Sequence, residues 1–427
     1  MVDQTPENPL GVDTPPPETD ATVQQSEGEN AIENGLTDAV NEIASKSRIL
    51  DCFYKALKAC GVVGEEKVAK ICYLALTSRV LEKPVSVAVK GPSSGGKSYV
   101  TGQVLRFFPE SAYYALSAMS DKALVYSNED LRHRFLVLFE AESLKGDTVS
   151  YFIRSLLSEG RIRYETVESS NAGIGSRLIE REGPTGLLVT TTATSLHSEN
   201  ETRYLSLTVQ DTPEQTKAIL RSIAAGGTSE EEQSDWIALQ EWLGRANHRV
   251  VNPFTPTLAE LFPPNSVRLR RDFGLLLNLI KAHAILHQLS REQNADGEII
   301  ATLDDYAVVR DLVVAPISEG LGATVSKEVR ETVNVLGNLN PRVDTDTGFM
   351  SLADVAKKLG IDKSSASRRV KQAIKLGYLM NAETIRGKPM QLYIGDPLPE
   401  EVQVLPRPEQ LQIKGEKDVA AVWDLDN

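Results

Sequence analysis

The segment Gly91-Pro92-Ser93-Ser94-Gly95-Gly96-Lys97-Ser98 constrains this chain more than any other. It follows the apolar, β-rich run Val85-Ser86-Val87-Ala88-Val89 and precedes Tyr99 to Phe108, where apolar positions recur at helical spacing. A glycine loop between a strand and a helix lets backbone N–H groups approach phosphate oxygens, and the helix N-terminus adds the positive end of its dipole. Lys97 stands where a lysine reaches the β and γ oxygens, and Ser98 where a hydroxyl ligates magnesium. The spacing predicts a site for a nucleoside triphosphate with Mg2+.

Two further apolar runs, Phe135-Leu136-Val137-Leu138-Phe139 and Gly186-Leu187-Leu188-Val189-Thr190-Thr191-Thr192, are separated by helical stretches. Short continuous apolar strands between helices predict an α/β fold with a mostly parallel sheet covered on both faces. Between these runs, Arg161 to Val167 and Ser176 to Glu180 flank turn residues and read as a β-hairpin. Hydrolysis of a bound triphosphate needs a carboxylate at the end of a neighbouring strand. Glu140 follows the Phe135 run directly and is the first candidate, with Glu142 two residues on; two acids in a solvated loop are the plainer reading.

With 427 residues and 41% hydrophobic content, the chain is large enough for two or three folded units. Its net charge of -13 is concentrated: residues 1–45 hold ten acids and no Lys or Arg, so the remainder carries -3, the difference between -13 and -10. Residues 1–45 are also Pro-rich and poor in large apolar side chains, which reads as disorder. The three cysteines, Cys52, Cys60 and Cys72, show no metal-binding spacing and suit a reduced, cytoplasmic setting. The N-terminus lacks the basic start and apolar core of a secretory signal. The most apolar stretch, Gly274 to Leu286, is interrupted by Asn278, Lys281 and His283, which argues against a membrane span. His283 and His287 stand four apart, as in a zinc-protease helix, but Ala284 occupies the place of the required Glu, so they read as core or surface histidines.

Beyond a linker at 337–350, residues 351–397 carry two short helices followed by strand, loop and strand. Ser351 is a candidate helix N-cap with Asp354 three residues on. This unit resembles a winged helix-turn-helix domain. The resemblance implies DNA contacts from Lys363, Arg368, Arg369 and Lys371 on and before the second helix, and from Arg386 and Lys388 on the wing. Winged helices also dock proteins, so both readings stand. Residues 398–427 read as a flexible tail.

Residues 48 to 335 together resemble an AAA+ ATPase, and among these the minichromosome-maintenance-like helicases of bacterial mobile elements. The resemblance divides the chain into an ATPase core at 46–240 and a helical lid at 241–336. It makes Phe135 to Glu140 the second acidic motif, although Phe139 stands where an Asp is usual, which leaves the metal to Glu140 or Glu142 beside Ser98. It places a water-positioning side chain in the Thr190-Thr191-Thr192 strand, with Thr191 at its centre, and an arginine finger at Arg203 that acts on a neighbouring subunit of a ring. A further phosphate-sensing arginine is implied among Arg268, Arg270 and Arg271. The hairpin would lie in the pore, with Arg161, Arg163, Arg177 and Arg181 on DNA, or would simply pack against a neighbour. The combined expectation is an ATP- and Mg2+-dependent, ring-forming motor on DNA. The alternatives are an ATP-switched regulator and a scaffold with weakened hydrolysis.

Overall fold

The computed structural model describes residues 37–411 except 141–143, 145, 171–172, 193–200, 211, 225–232, 264–267, 321–326, 338–348, 384, 386 and 399–403. Glu142, Arg386, Asn200, most of the acidic N-terminus and most of the 337–350 linker therefore lie outside the described residues.

Three helices, α1 (Asp38–Ala44), α2 (Ile49–Ala59) and α3 (Glu66–Thr77), precede the first strand, β1 (Val87–Lys90). There follow α4 (Lys97–Leu105), β2 (Tyr113–Leu116), α5 (Ala123–Tyr126), β3 (Arg134–Leu138) and α6 (Asp147–Glu159). A hairpin of β4 (Arg161–Ser170) and β5 (Gly173–Glu182) leads into β6 (Thr185–Thr191) and β7 (Leu205–Thr208). The central sheet has the order β2-β3-β6-β1-β7, and every neighbouring pair in it is parallel.

Side-chain alternation explains why these strands read as unbroken apolar runs. Val87, Val89, Phe135, Val137 and Leu188 belong to a buried cluster on one face of the sheet. Their neighbours Ala88, Leu136, Leu138, Leu187 and Val189 belong to another cluster on the opposite face, closed by Phe152, Ile153 and Leu156 of α6. The first cluster takes in α2, α3 and α4 and continues into the helices that follow the sheet. These are α7 (Pro213–Ala224), α8 (Ser234–Arg245), α9 (Thr255–Leu261), α10 (Leu269–Leu286) and α11 (Leu303–Gly320), of which α8 to α11 contribute buried residues. The expected boundary between core and lid near 240 is thus no boundary in packing, because Leu239, Leu243, Leu276 and Ile280 share that cluster with Phe53 and Leu74. Two short strands, β8 (Val250–Val251) and β9 (Ile299–Ile300), pair in parallel between these helices.

Two composition-based expectations need correcting. Helix α1 falls inside the segment read as disordered: the Thr37 side chain caps it by accepting the Val40 N–H, and Val40 and Ala44 are buried. Its apolar stripe is too short to stand out from the acidic residues around it. Within the expected flexible tail, Val404, Leu405 and Leu411 are buried in the first cluster, and Tyr306 Oη and Arg310 Nε each donate to Pro406 O at 2.7 Å.

The C-terminal unit has a core of its own, built from α12 (Lys327–Gly337), α13 (Leu352–Leu359), α14 (Lys363–Lys375), β10 (Leu379–Asn381) and β11 (Leu392–Ile394). The expected cap forms: Asp354 N–H donates to Ser351 Oγ at 3.3 Å, and Ser351 N–H donates to Asp354 Oδ2 at 3.1 Å. The two strands pair antiparallel, with Met380 opposite Tyr393.

Candidate phosphate-binding site

The loop that opened the sequence leaves β1 at Lys90 and enters α4 at Lys97, as its spacing predicts. Gly91 is held against the next strand: its N–H donates to Thr191 O at 3.2 Å, and an added Cβ would stand 2.3 Å from Val209 Cγ2. Gly96 turns the chain into the helix at φ 80°, in the left-handed region that glycine adopts freely. No side chain caps α4, so its first N–H groups face the loop, which is the arrangement that receives an anion.

Lys97 is buried, and its ammonium donates to Pro92 O at 2.7 Å across the loop. Burial lowers its pKa from the ordinary lysine value; the Glu140 carboxylate opposes that shift and the Arg368 guanidinium adds to it. Glu140 is exposed at the end of β3, on the same edge of the sheet as the loop. Phe139, in the position where an Asp is usual, is partly buried against the first apolar cluster.

Between loop and acid stands Thr190. Its hydroxyl lies 3.5 Å from Ser98 Oγ and donates to Phe139 O at 2.6 Å. Thr191, the residue singled out from the sequence, is buried on the other face of β6 because successive strand residues alternate. Register separates the two threonines: Thr190 shares a face with Leu188, which packs in the α4-side cluster.

The loop, its helix and the acid-bearing strand are matched by a known family. Residues 35–230 match the model of the MTBMA_p00010 P-loop domain. This segment is a P-loop domain. No curated protein matches the chain.

Of the arginines implied by the resemblance, Arg203 lies in the matched segment and Arg268, Arg270 and Arg271 beyond it, at the start of α10. Arg203, just before β7, lines a cleft of about 410 Å³ with Arg270, Arg271 and the segment Lys83 to Ser86 that leads into β1. Arg203 Nε donates to Ser158 Oγ at 2.9 Å, and Arg271 donates to Thr202 Oγ1. Burial lowers the Arg203 pKa, and the Arg271 and Arg154 guanidinium groups push the same way against Tyr204; Asp272 is the carboxylate among the described lining residues of this cleft. Arg268 is set apart, paired with Asp272 at 3.3 Å. Because β1 and β7 run parallel, the cleft lies where strands begin and the P-loop where they end, roughly 13 Å apart for a four-residue strand at about 3.3 Å per residue.

On the hairpin, Arg163 pairs with Glu180 at 2.6 Å and Arg181 donates to Glu129 O, so both are engaged within the fold. In the C-terminal unit, Arg368, Lys371 and Lys375 line one face of α14 with Ser364 and Gln372, Lys363 is exposed at its start, and Lys388 is exposed on the wing loop. Arg369 departs from expectation. It is 4% exposed and pairs with Glu331 of α12 at 3.3 Å, because its helical position faces the core of the unit. His283 and His287 are both buried, with His283 Nδ1 2.6 Å from Asp305 Oδ1. No described helix is long and apolar enough to cross a membrane.

Proposed function

We propose that the chain is an ATP-hydrolysing motor of the AAA+ type that works as a homo-oligomeric ring on DNA, as a helicase or translocase. The observation that carries this reading is the separation of two phosphate-seeking groups. The P-loop sits where β1 ends and the Arg203 cleft where β1 and β7 begin, so those guanidinium groups reach a γ-phosphate only in a neighbouring copy.

Within one site the roles follow from chemistry. The loop N–H groups and Lys97 bind phosphate oxygens, with Gly91 to Ser98 forming the cradle that a Cβ at Gly91 would fill. The Ser98 hydroxyl and the Glu140 carboxylate are hard oxygen donors of the kind Mg2+ prefers, and Glu142 is a further candidate. Bound with nucleotide, that ion would supply charge neutralisation at the phosphates. Glu140 orients and deprotonates water, Thr190 holds the hydroxyl network that places it, and Arg203 stabilises charge developing on the transferred group.

The C-terminal helices and two-stranded sheet support a winged-helix reading, in which Lys363, Arg368, Lys371 and Lys388 contact a DNA backbone. Phe139 favours one alternative: a chain with one acid fewer at the metal could be an ATP-switched DNA-binding regulator or scaffold without unwinding activity. Turnover measured with and without single- and double-stranded DNA, beside gel filtration with ATP, separates these. The motor reading predicts DNA-stimulated hydrolysis and a nucleotide-dependent oligomer; unchanged turnover and a monomer would overturn it.

A further inference from the structure

A second cleft, of about 700 Å³, opens where β2 and β3 begin, on the edge of the sheet away from the P-loop. Arg79, Arg132, Arg245, His133 and His248 line it, and Glu241 is the one carboxylate among its described lining residues. Arg79 is 5% exposed. Its guanidinium donates only to neutral oxygens: to Leu76 O at 3.3 Å, to Gln240 Oε1 at 2.7 Å and to Gln240 O at 2.7 Å. Among the described residues no carboxylate pairs with Arg79, Arg132 or Arg245, although a buried cation ordinarily carries an anionic partner. Burial pushes the Arg79 pKa down to about 10, the mark of a cation held without a counter-charge.

Two histidines face the same space with fixed tautomers. His133 Nδ1 is 2.9 Å from Arg79 O and His248 Nε2 is 2.7 Å from Leu243 O. A carbonyl only accepts, so each of these nitrogens carries its proton. His133 also sits at φ 55°, a left-handed conformation that a non-glycine residue rarely holds, tied there by its N–H to Pro184 O at 2.8 Å.

We propose that this cleft is a second ligand site, for a small molecule bearing two or more linked phosphates. Guanidinium forks match phosphate oxygens in geometry as well as charge, and several of them in one concavity select a multiply charged anion over chloride or a single carboxylate. The volume falls in the range of small-ligand pockets, which favours a compact ligand over a nucleic-acid strand lying along a groove. The site is independent of the P-loop, which lies at the other end of the strands, and of the role proposed for that loop.

Inorganic pyrophosphate titrated into the full-length Lys97→Ala variant by calorimetry at low salt tests this. The lysine substitution removes the P-loop anchor, and the expected result is remaining binding that depends on the arginines of this cleft. Arg132→Gln with Arg245→Gln should weaken it at least tenfold. Both side chains are exposed, so the fold should persist, with nucleotide binding at an intact Lys97 as the control. The single variant Arg245→Glu should weaken binding further than Arg245→Gln alone. No binding in Lys97→Ala, or equal binding after the arginine changes, would overturn the proposal. So would arginine-dependent binding of a labelled single-stranded oligonucleotide where pyrophosphate fails to bind.

Discussion

The hydroxyl of Thr190 stands 3.5 Å from that of Ser98. It joins the end of the phosphate loop to the strand that carries Glu140, because the same hydroxyl donates to Phe139 O at 2.6 Å. Thr190→Val keeps the shape of the side chain and removes this link. Nucleotide binding should survive within a few-fold, while turnover should fall about 10- to 100-fold as the network that places water is lost. Equilibrium nucleotide binding and steady-state hydrolysis measured side by side check it; unchanged turnover would remove Thr190 from the site.

Lys97→Ala and Glu140→Gln should fail in different ways. Without the lysine, the loop loses its one ammonium on the phosphates, so nucleotide affinity itself should drop at least tenfold. Glu140→Gln keeps the exposed side chain's shape and loses the base and the charge offered to the metal, so nucleotide should still bind within a few-fold while turnover falls about 10²- to 10⁴-fold. Comparable turnover in Glu140→Gln and wild type would hand the role of base to another acid, with Glu142 the next to substitute.

Much of this site was legible because its signals are local. The loop spacing, the strand before it and the helix after it all lie within Val85 to Phe108, and the hairpin forms where its alternation was read, although its strands run further into the expected turn, to Ser170 opposite Gly173. What escaped depends on partners distant in sequence. Choosing Thr190 over Thr191 needs the register of β6 against β1 and the position of α4, neither of which a triple threonine encodes. Arg369 reads as one more basic residue on a helix until Glu331 of α12, 38 residues earlier, is placed beside it. Val404 and Leu405 look like part of a loose Pro- and Glu-rich tail until Tyr306 and Arg310 of α11 hold Pro406.

A trans-acting Arg203 predicts complementation. Arg203→Ala should bind nucleotide and hydrolyse it poorly, and Lys97→Ala should hydrolyse poorly for lack of binding. In a ring assembled at random from equal amounts of both, about a quarter of the interfaces pair an intact loop with an intact arginine. Mixing the two inactive variants should therefore restore measurable turnover. If the mixture stays as inactive as its parts, Arg203 does not act across an interface.

Packing at the sheet gives a stability prediction. Gly186 on β6 lies against the ring of Phe135 on β3, and an added Cβ would stand 2.3 Å from Phe135 Cζ. The ring cannot retreat, since Phe135 is fully buried within the first apolar cluster. Gly186→Ala should destabilise the fold by about 1–3 kcal/mol, read as a lower denaturation midpoint. Gly186→Ala combined with Phe135→Leu should recover part of the loss; an unshifted midpoint in the single variant would mean that the two strands part more readily than their pairing suggests.

The helical region should respond to acid, in a direction that the buried histidines set. His287 lies against His283 with ring centroids 4.5 Å apart, and among the described residues its Nε2 has no hydrogen-bond partner. Burial pushes its pKa down to about 3, with His283 and Arg291 acting in the same direction and Asp305 against it. Burial works to raise the Asp305 pKa, but hydrogen bonds from His283 and Arg291 outweigh it and hold the carboxyl well below its usual range. Both depressions have the same sign for stability. As pH falls from about 6.5, the unfolded chain protonates at His287 and the folded chain does not, so stability drains by up to about 1.4 kcal/mol per pH unit until about pH 3. Asp305 adds to the loss only once pH falls below its unfolded value of 3.8. Urea unfolding at pH 7 and pH 5 should therefore show a loss of about 2 kcal/mol in the wild type and a smaller loss in His287→Leu, which has nothing to protonate. Equal losses in the two proteins would place the acid sensitivity in other groups.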